Sequence, residues 1–264
     1  MGTGMKILNR LYSDYFMPSR LAEYERIIVT AKEQNYVHLT IPEFYDKRES
    51  GIDAEKKYFI HRHDIDTDPL TARRMFEIEK KYGVRTSYYF RLSTLDVPLM
   101  REIHEFGSEV GYHYEELAQF CKDKRIRSPE KARGNFEQVR EIFRANFRAI
   151  SERAGFPVTT IASHGDFVNR KLGITNSAFI TRELMDELGI RFECYDAELL
   201  EKFGTIISDR AYPEFYRPRE PFACMQEGHK VIYLLTHPRH WRVSVSINSR
   251  DNFLRLWEGL KYAV

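Results

Sequence analysis

The opening part of the chain repeats its apolar residues every three to four positions. Leu21, Tyr24, Ile27, Ile28 and Ala31 share one helical face after Ser19-Arg20, and Thr40-Ile41-Pro42-Glu43 has the form of a helix cap with proline in the first turn. Residues 1–55 are therefore expected to form a helical extension. After Gly51 the period changes. Short apolar and aromatic runs at 58–63, 86–92, 109–114, 159–163, 191–195, 205–208 and 231–236 predict strands. Amphipathic stretches at 69–82, 97–106, 129–154 and 177–188 predict helices between them, stopped at Gly83, Gly107, Gly155 and Gly189, and 249–262 predicts a closing helix.

Strands that alternate with helices argue for a mainly parallel sheet with crossover helices. Seven strands, several of them short, predict an irregular (β/α) barrel over residues 56–264, with an open doubly wound sheet as the alternative. No glycine-rich loop follows any strand, so a nucleotide-binding fold lacks its main signal.

Composition narrows the function classes. A chain of 264 residues with 42% hydrophobic and 30% charged residues is that of a folded globular protein, not a disordered one. Lys and Arg number 41 against 39 Asp and Glu, so the net charge of +2 gives no case for a nucleic-acid or membrane-surface partner. No apolar run reaches the roughly 18 residues of a membrane span. The start, Met1-Gly2-Thr3-Gly4-Met5-Lys6, leads into no apolar signal core, and Cys121, Cys194 and Cys224 are odd in number and widely spaced. A cytoplasmic protein with reduced thiols is expected. Oligomeric state is not legible. The 16 Tyr and 18 Phe suit either a core or a sugar-stacking surface.

The candidate chemistry sits where the strands end. In a β/α barrel the site lies at the carboxyl ends of the strands. Those ends read His63-Asp64-Ile65-Asp66, then Arg91, then His113-Tyr114-Glu115-Glu116, then His164-Gly165-Asp166, then Asp196, Asp209 and His237-Pro238-Arg239-His240-Trp241. Metal-ligand and acid–base residue types recur at nearly every end. Asp64 and Asp66 are two apart and point to one side of a continued strand, while His61 and His63 point to the other and are expected to pack or give support. Asp68, just before Pro69, reads as a helix cap. Gly111 allows close backbone approach before His113, and His164 precedes Gly165 at a sharp turn.

The order Asp-x-Asp, Gly111-Tyr112-His113-Tyr114-Glu115, His164-Gly165 and Leu-Leu-x-His ending at His237 resembles the NodB-homology polysaccharide deacetylases, carbohydrate esterase family four. The likeness covers residues 56–264 and is that of a divergent branch, similar to proteins of bacterial surface-polysaccharide biosynthesis. It implies an irregular (β/α)7 barrel and a metal-dependent hydrolase that removes acetyl groups from N-acetylated sugars with one divalent ion, zinc being expected. It also implies Asp64 as catalytic base, Asp66 and His113 as metal ligands, and His237 as general acid. The family's second ligand histidine would fall at Leu117, which cannot ligate, and His164 stands where the family carries an arginine that orients the base.

The chemistry asks for these parts. A carboxylate within reach takes a proton from water, and a protonated imidazole gives one to the leaving nitrogen. Three protein ligands with open positions suit a catalytic metal. Asp66, His113 and His164 would supply three, with Glu115 as a reserve ligand or a carboxylate supporting an imidazole. Arg91, Trp241 and Asp166 are candidates for binding substrate or supporting the ligands. Two rival functions are a hydrolase of another small amide and a non-catalytic carbohydrate binder.

Overall fold

The computed structural model describes residues 3–263; Met1, Gly2 and Val264 lie outside the described residues. Nine strands join in one sheet: β1 (Tyr36–Leu39), β2 (Lys57–Ile65), β3 (Ser87–Phe90), β4 (Glu109–Tyr114), β5 (Thr160–Ser163), β6 (Phe192–Glu193), β7 (Thr205–Asp209), β8 (Tyr216–Arg217) and β9 (Val231–Thr236). Their order is β6-β5-β4-β3-β2-β9-β7-β8, with β1 beside β2. All pairings are parallel except β7 with β8. The seven predicted strands are β2 to β7 and β9, and they form the expected (β/α)7 arrangement, left open between β6 and β8.

Side chains facing the inside show how far the sheet curls. Ile60 of β2, Tyr89 of β3, Ala162 of β5, Phe192 of β6 and Tyr233 of β9 belong to one buried apolar cluster. Strands far apart in the order can share a cluster only if the sheet wraps around it, as in a small barrel filled by its own side chains. Helix Ile41–Ser50 closes this interior, with Phe44 stacked on Phe203 and Tyr45 on Phe192. Two further clusters lie outside the sheet. One packs Tyr24, Ile27 and Ile28 against β2, β7 and β9, and the other packs helices such as Phe136–Ala154 over β3 to β5. Each cluster holds one of the three cysteines, which are free and buried: Cys194 inside, Cys224 and Cys121 in the two outer layers.

β2 is central because three strands lean on it. β9 pairs along one edge from Tyr58 to His63, while β1 pairs with Lys57–Ile60 and β3 with Arg62–Ile65. β1 corrects the expectation that residues 1–55 are helical throughout. Asn35 takes a positive φ of 62° after helix Leu21–Glu33, and the chain runs four residues in the sheet before the capping box of Thr40 and Glu43 starts the next helix. Two predicted helices are broken. The 129–154 stretch divides at Asn135, whose side-chain amide bonds back to the Lys131 carbonyl at 2.7 Å. The 177–188 stretch is a short 3₁₀ turn, Asn176–Phe179, then helix Arg182–Leu188, capped anew by Thr181. Gly111 does serve close approach: a Cβ there would lie 2.2 Å from the Tyr89 ring and 2.9 Å from the Thr160 carbonyl oxygen.

Candidate active site and metal centre

Asp66, His113 and His164 converge. Asp66 Oδ1 lies 3.1 Å from His113 Nε2 and 3.5 Å from His164 Nε2. The three donors fall within 4.8 Å of one another. Each is aimed by its own element. Asp66 follows the end of β2, and its backbone carbonyl accepts from Arg91 Nη1 at 3.0 Å. His113 is the penultimate residue of β4, with Nδ1 2.9 Å from the carbonyl oxygen of Ala162 on β5. A carbonyl only accepts, so Nδ1 carries a proton, and Nε2 is the nitrogen that faces Asp66. His164 leaves β5 with its backbone N–H on Tyr114 and its carbonyl held by Asn176 at 2.6 Å.

The donor set fits a divalent cation. Asp66 Oδ1 is a buried oxygen that makes no hydrogen bond. Leaving such an atom unpaired is costly unless a cation balances it. Two imidazole nitrogens and one carboxylate oxygen are ordinary zinc ligands. Burial would raise the Asp66 pKa, but His164 and His113 beside it outweigh burial and hold it well below the usual carboxylate range.

Glu115 stands behind this group. It takes a forked ion pair from Arg91, at 2.6 to 2.9 Å, and one of its oxygens lies 3.5 Å from His164 Nδ1. Arg91 and Glu115 are thus spent on supporting Asp66 and His164.

Asp64 is buried next to the same centre, with Oδ2 3.6 Å from His113 Nε2. Both of its oxygens accept from Arg62, at 2.7 and 2.8 Å. Burial would raise the Asp64 pKa; Arg62 first, then His113 and His237, reverse this and lower it. Arg62 is a site residue that the motif reading missed. Strand parity was the available signal, because Arg62 shares a face with Asp64. It is fully buried, reaches the Tyr233 hydroxyl at 3.2 Å, and lies under the Tyr195 ring at 4.6 Å.

His237 completes the ring of strand ends. Its Nδ1 is 2.7 Å from Asp209 Oδ1, and its backbone N–H donates to Asp209 Oδ2 at 2.7 Å. A carboxylate only accepts, so Nδ1 holds a proton there. Burial lowers the His237 pKa, but Asp209, helped by Asp66 and Asp64, lifts it to about 9. His240 Nδ1 lies 3.2 Å from the same Asp209 oxygen.

Trp241 takes the supporting one of its two expected roles, and Asp166 takes neither. Trp241 cannot stack on a sugar: it is 0% exposed, its indole N–H donates to Asp209 at 2.9 Å, and its ring packs on Tyr24. Its role is to hold the partner of His237. Asp166 is not in the centre. It caps helix Phe167–Leu172 through the Val168 N–H at 2.8 Å and pairs with Lys122 at 3.2 Å. An aspartate ahead of a helix satisfies the free N–H groups of the first turn, and here that role wins.

No protein-family model and no curated protein matches this chain. Solved structures do. The likeness is to carbohydrate esterase family 4. A family 4 carbohydrate esterase from Bacillus anthracis aligns over 94% of this chain and 89% of its own, at 12% identity and a TM-score of 0.41. The peptidoglycan deacetylase PdaC from Bacillus subtilis aligns over 79% and 87%, at 14% identity and a TM-score of 0.41. BA3943, a family 4 pseudoenzyme from Bacillus anthracis, aligns over 79% of this chain at 14% identity and a TM-score of 0.38, and over 63% of its own length. The present chain thus spans less than two thirds of that protein. Family 4 is also the family that the strand-end motifs resemble.

Proposed function

We propose that this protein is a zinc-dependent deacetylase that removes the acetyl group from an N-acetylated sugar. The observation that carries the reading is the buried Asp66 Oδ1, without a hydrogen bond and meeting two histidine nitrogens, beside Asp64 paired with Arg62 and His237 paired with Asp209. A divalent ion held by Asp66, His113 and His164 would supply Lewis-acid polarisation of the amide carbonyl. Asp64, kept ionised by Arg62, accepts the proton of the attacking water. His237 keeps Nδ1–H on Asp209 and turns Nε2–H to the leaving nitrogen, which departs as an amine only when protonated. Tyr195, 43% exposed after β6, takes the sugar-stacking role that Trp241 cannot. The surface-polysaccharide setting comes with the family resemblance. Among the described residues no helix is long and apolar enough to cross a membrane. Three buried thiols suit a reducing compartment, and we place the reaction in the cytoplasm.

The test is acetate release from chito-oligosaccharides and from nucleotide-linked N-acetyl sugars. A chelator is expected to abolish it and zinc to restore it. Asp64→Asn should keep zinc and fold yet lose about 10²–10⁴-fold in turnover. Full activity in that variant would remove Asp64 from its role. Zinc and sugar binding without acetate release in the parent would make the protein a carbohydrate binder instead.

A further inference from the structure

The helices nearest the two ends of the described chain, Thr3–Tyr15 and Val245–Ala263, are amphipathic the wrong way round for a surface position. Their polar sides face the protein and each other. Asn252 bonds to Arg10 at 2.8 Å and to Asp14 at 3.0 Å, Asn248 donates to the Asp14 carbonyl, and Arg239 bridges Asp14 and Asp251 at 2.9 and 2.6 Å. Their apolar sides face away. On the second helix Phe253, Leu256, Trp257 and Leu260 are 51–66% exposed at the i, i+3, i+4, i+7 spacing of a packing stripe. Met5, Leu8 and Tyr12 form a matching stripe on the first, followed by Phe16 at 73% exposure. Apart from Tyr12, whose ring centroid lies 4.7 Å from that of Tyr212, the residues of both stripes are more than half exposed. A surface helix of a globular protein normally points such a stripe at the core.

We propose that the face is the dimer interface of this protein, occupied by the same two helices of a second copy. The exposed apolar surface of the two stripes is on the order of 1,000 Å², well above the few hundred that a monomer usually leaves bare and close to the ~800 Å² per partner of a standard interface. Two antiparallel-capable apolar stripes meeting their own copies across a two-fold axis make a four-helix bundle, in which each stripe is buried by its symmetry mate. A membrane surface fits less well. Membrane-surface helices turn a Lys- and Arg-rich side to water, whereas here the polar side is inside. Of the charges that flank the stripes, Arg10 pairs with Asp14, Arg255 with Asp251 and Glu258 with Lys122, while Lys6, Arg250 and Lys261 are exposed and form no ion pair among the described residues.

The experiment is sedimentation equilibrium of the purified full chain at 1–50 μM, on the order of the working range for a standard interface. The parent is expected to run at twice the chain mass. Leu256→Asp combined with Leu8→Asp should raise the dissociation constant by at least ~100-fold and give the single-chain mass, as hot-spot truncations do. Ile142→Asp, on an exposed apolar residue of helix Phe136–Ala154, should leave the dimer intact. Unchanged thermal melting of the variants separates interface from folding. A parent that stays monomeric overturns the proposal, and so does a dimer indifferent to the double substitution. A monomer that co-sediments with phosphatidylglycerol vesicles would give the face to a membrane and likewise overturn it.

Discussion

Single atoms decide most of the proposed chemistry. Asp66 Oδ1 has no hydrogen bond of its own, so whatever removes one of its two histidine neighbours should be felt in metal affinity. His164→Ala is expected to lose zinc outright at micromolar metal. Glu115→Gln keeps the ligand and loses only its support from behind, so the expected loss is about 10–100-fold. Calorimetric titration with zinc distinguishes the two, and equal affinity in parent and His164→Ala would assign His164 to substrate. Asp209 plays the corresponding part for His237. The acid form of His237 is populated below its pKa, so activity that depends on it falls as pH rises through that value. Asp209→Asn removes the main raising influence and leaves burial, which lowers. The alkaline limb of kcat should therefore move to lower pH in Asp209→Asn, by at least about one pH unit for a directly bonded carboxylate. A bound dication lowers the value in both proteins, so the shift between them is the measurement. An unmoved limb would show that another group is the acid.

At the scale of elements, β2 explains what the sequence could and could not reveal. Period-two alternation correctly separates Asp64 from His61 and His63. The inner face carries Arg62 and Asp64. The outer face sends His63 to Glu79 at 2.8 Å and to Thr236 at 2.6 Å, while the other Glu79 oxygen accepts from Tyr88 and Thr86. His63 is thus support behind the site, as its parity suggested. Arg62 escaped because an arginine inside a strand has no visible partner until the fold shows that the carboxylate two residues on accepts from its Nε and Nη2. β1 escaped because four residues are too few to display alternation, and its helical neighbours set the local period. The parallel strands were legible because each is bounded by a helix stop or a turn. The break at Asn135 was not, since the apolar spacing continues across it. That His164 would lie beside His113 was legible only from strand order, which put the end of β5 beside the end of β4. Trp241 misled because its position beside His237 is a loop, where an aromatic usually faces solvent, and only the fold shows Asp209 drawing its N–H inward.

The whole molecule is three apolar compartments around one curled sheet, and each compartment happens to contain one thiol. That distribution makes the natural chain its own set of clocks. A buried thiol reacts with an aromatic disulfide reagent only when its surroundings open, so native-state labelling gives three opening rates without any engineered probe. Cys194 lies in the inner cluster filled by side chains of β2, β3, β5, β6 and β9, whose packing must loosen before reagent enters. Cys121 and Cys224 sit on the buried sides of outer helices, Glu116–Asp123 and Pro221–Gln226, that can lift one at a time. Cys194 is expected to label slowest, at the rate of global unfolding, with the other two ahead of it. Mass spectrometry of the labelled peptides reads the order directly. One common rate for all three would mean instead that helices and barrel come apart in a single step, so that the site could not loosen at its rim while its floor stays closed.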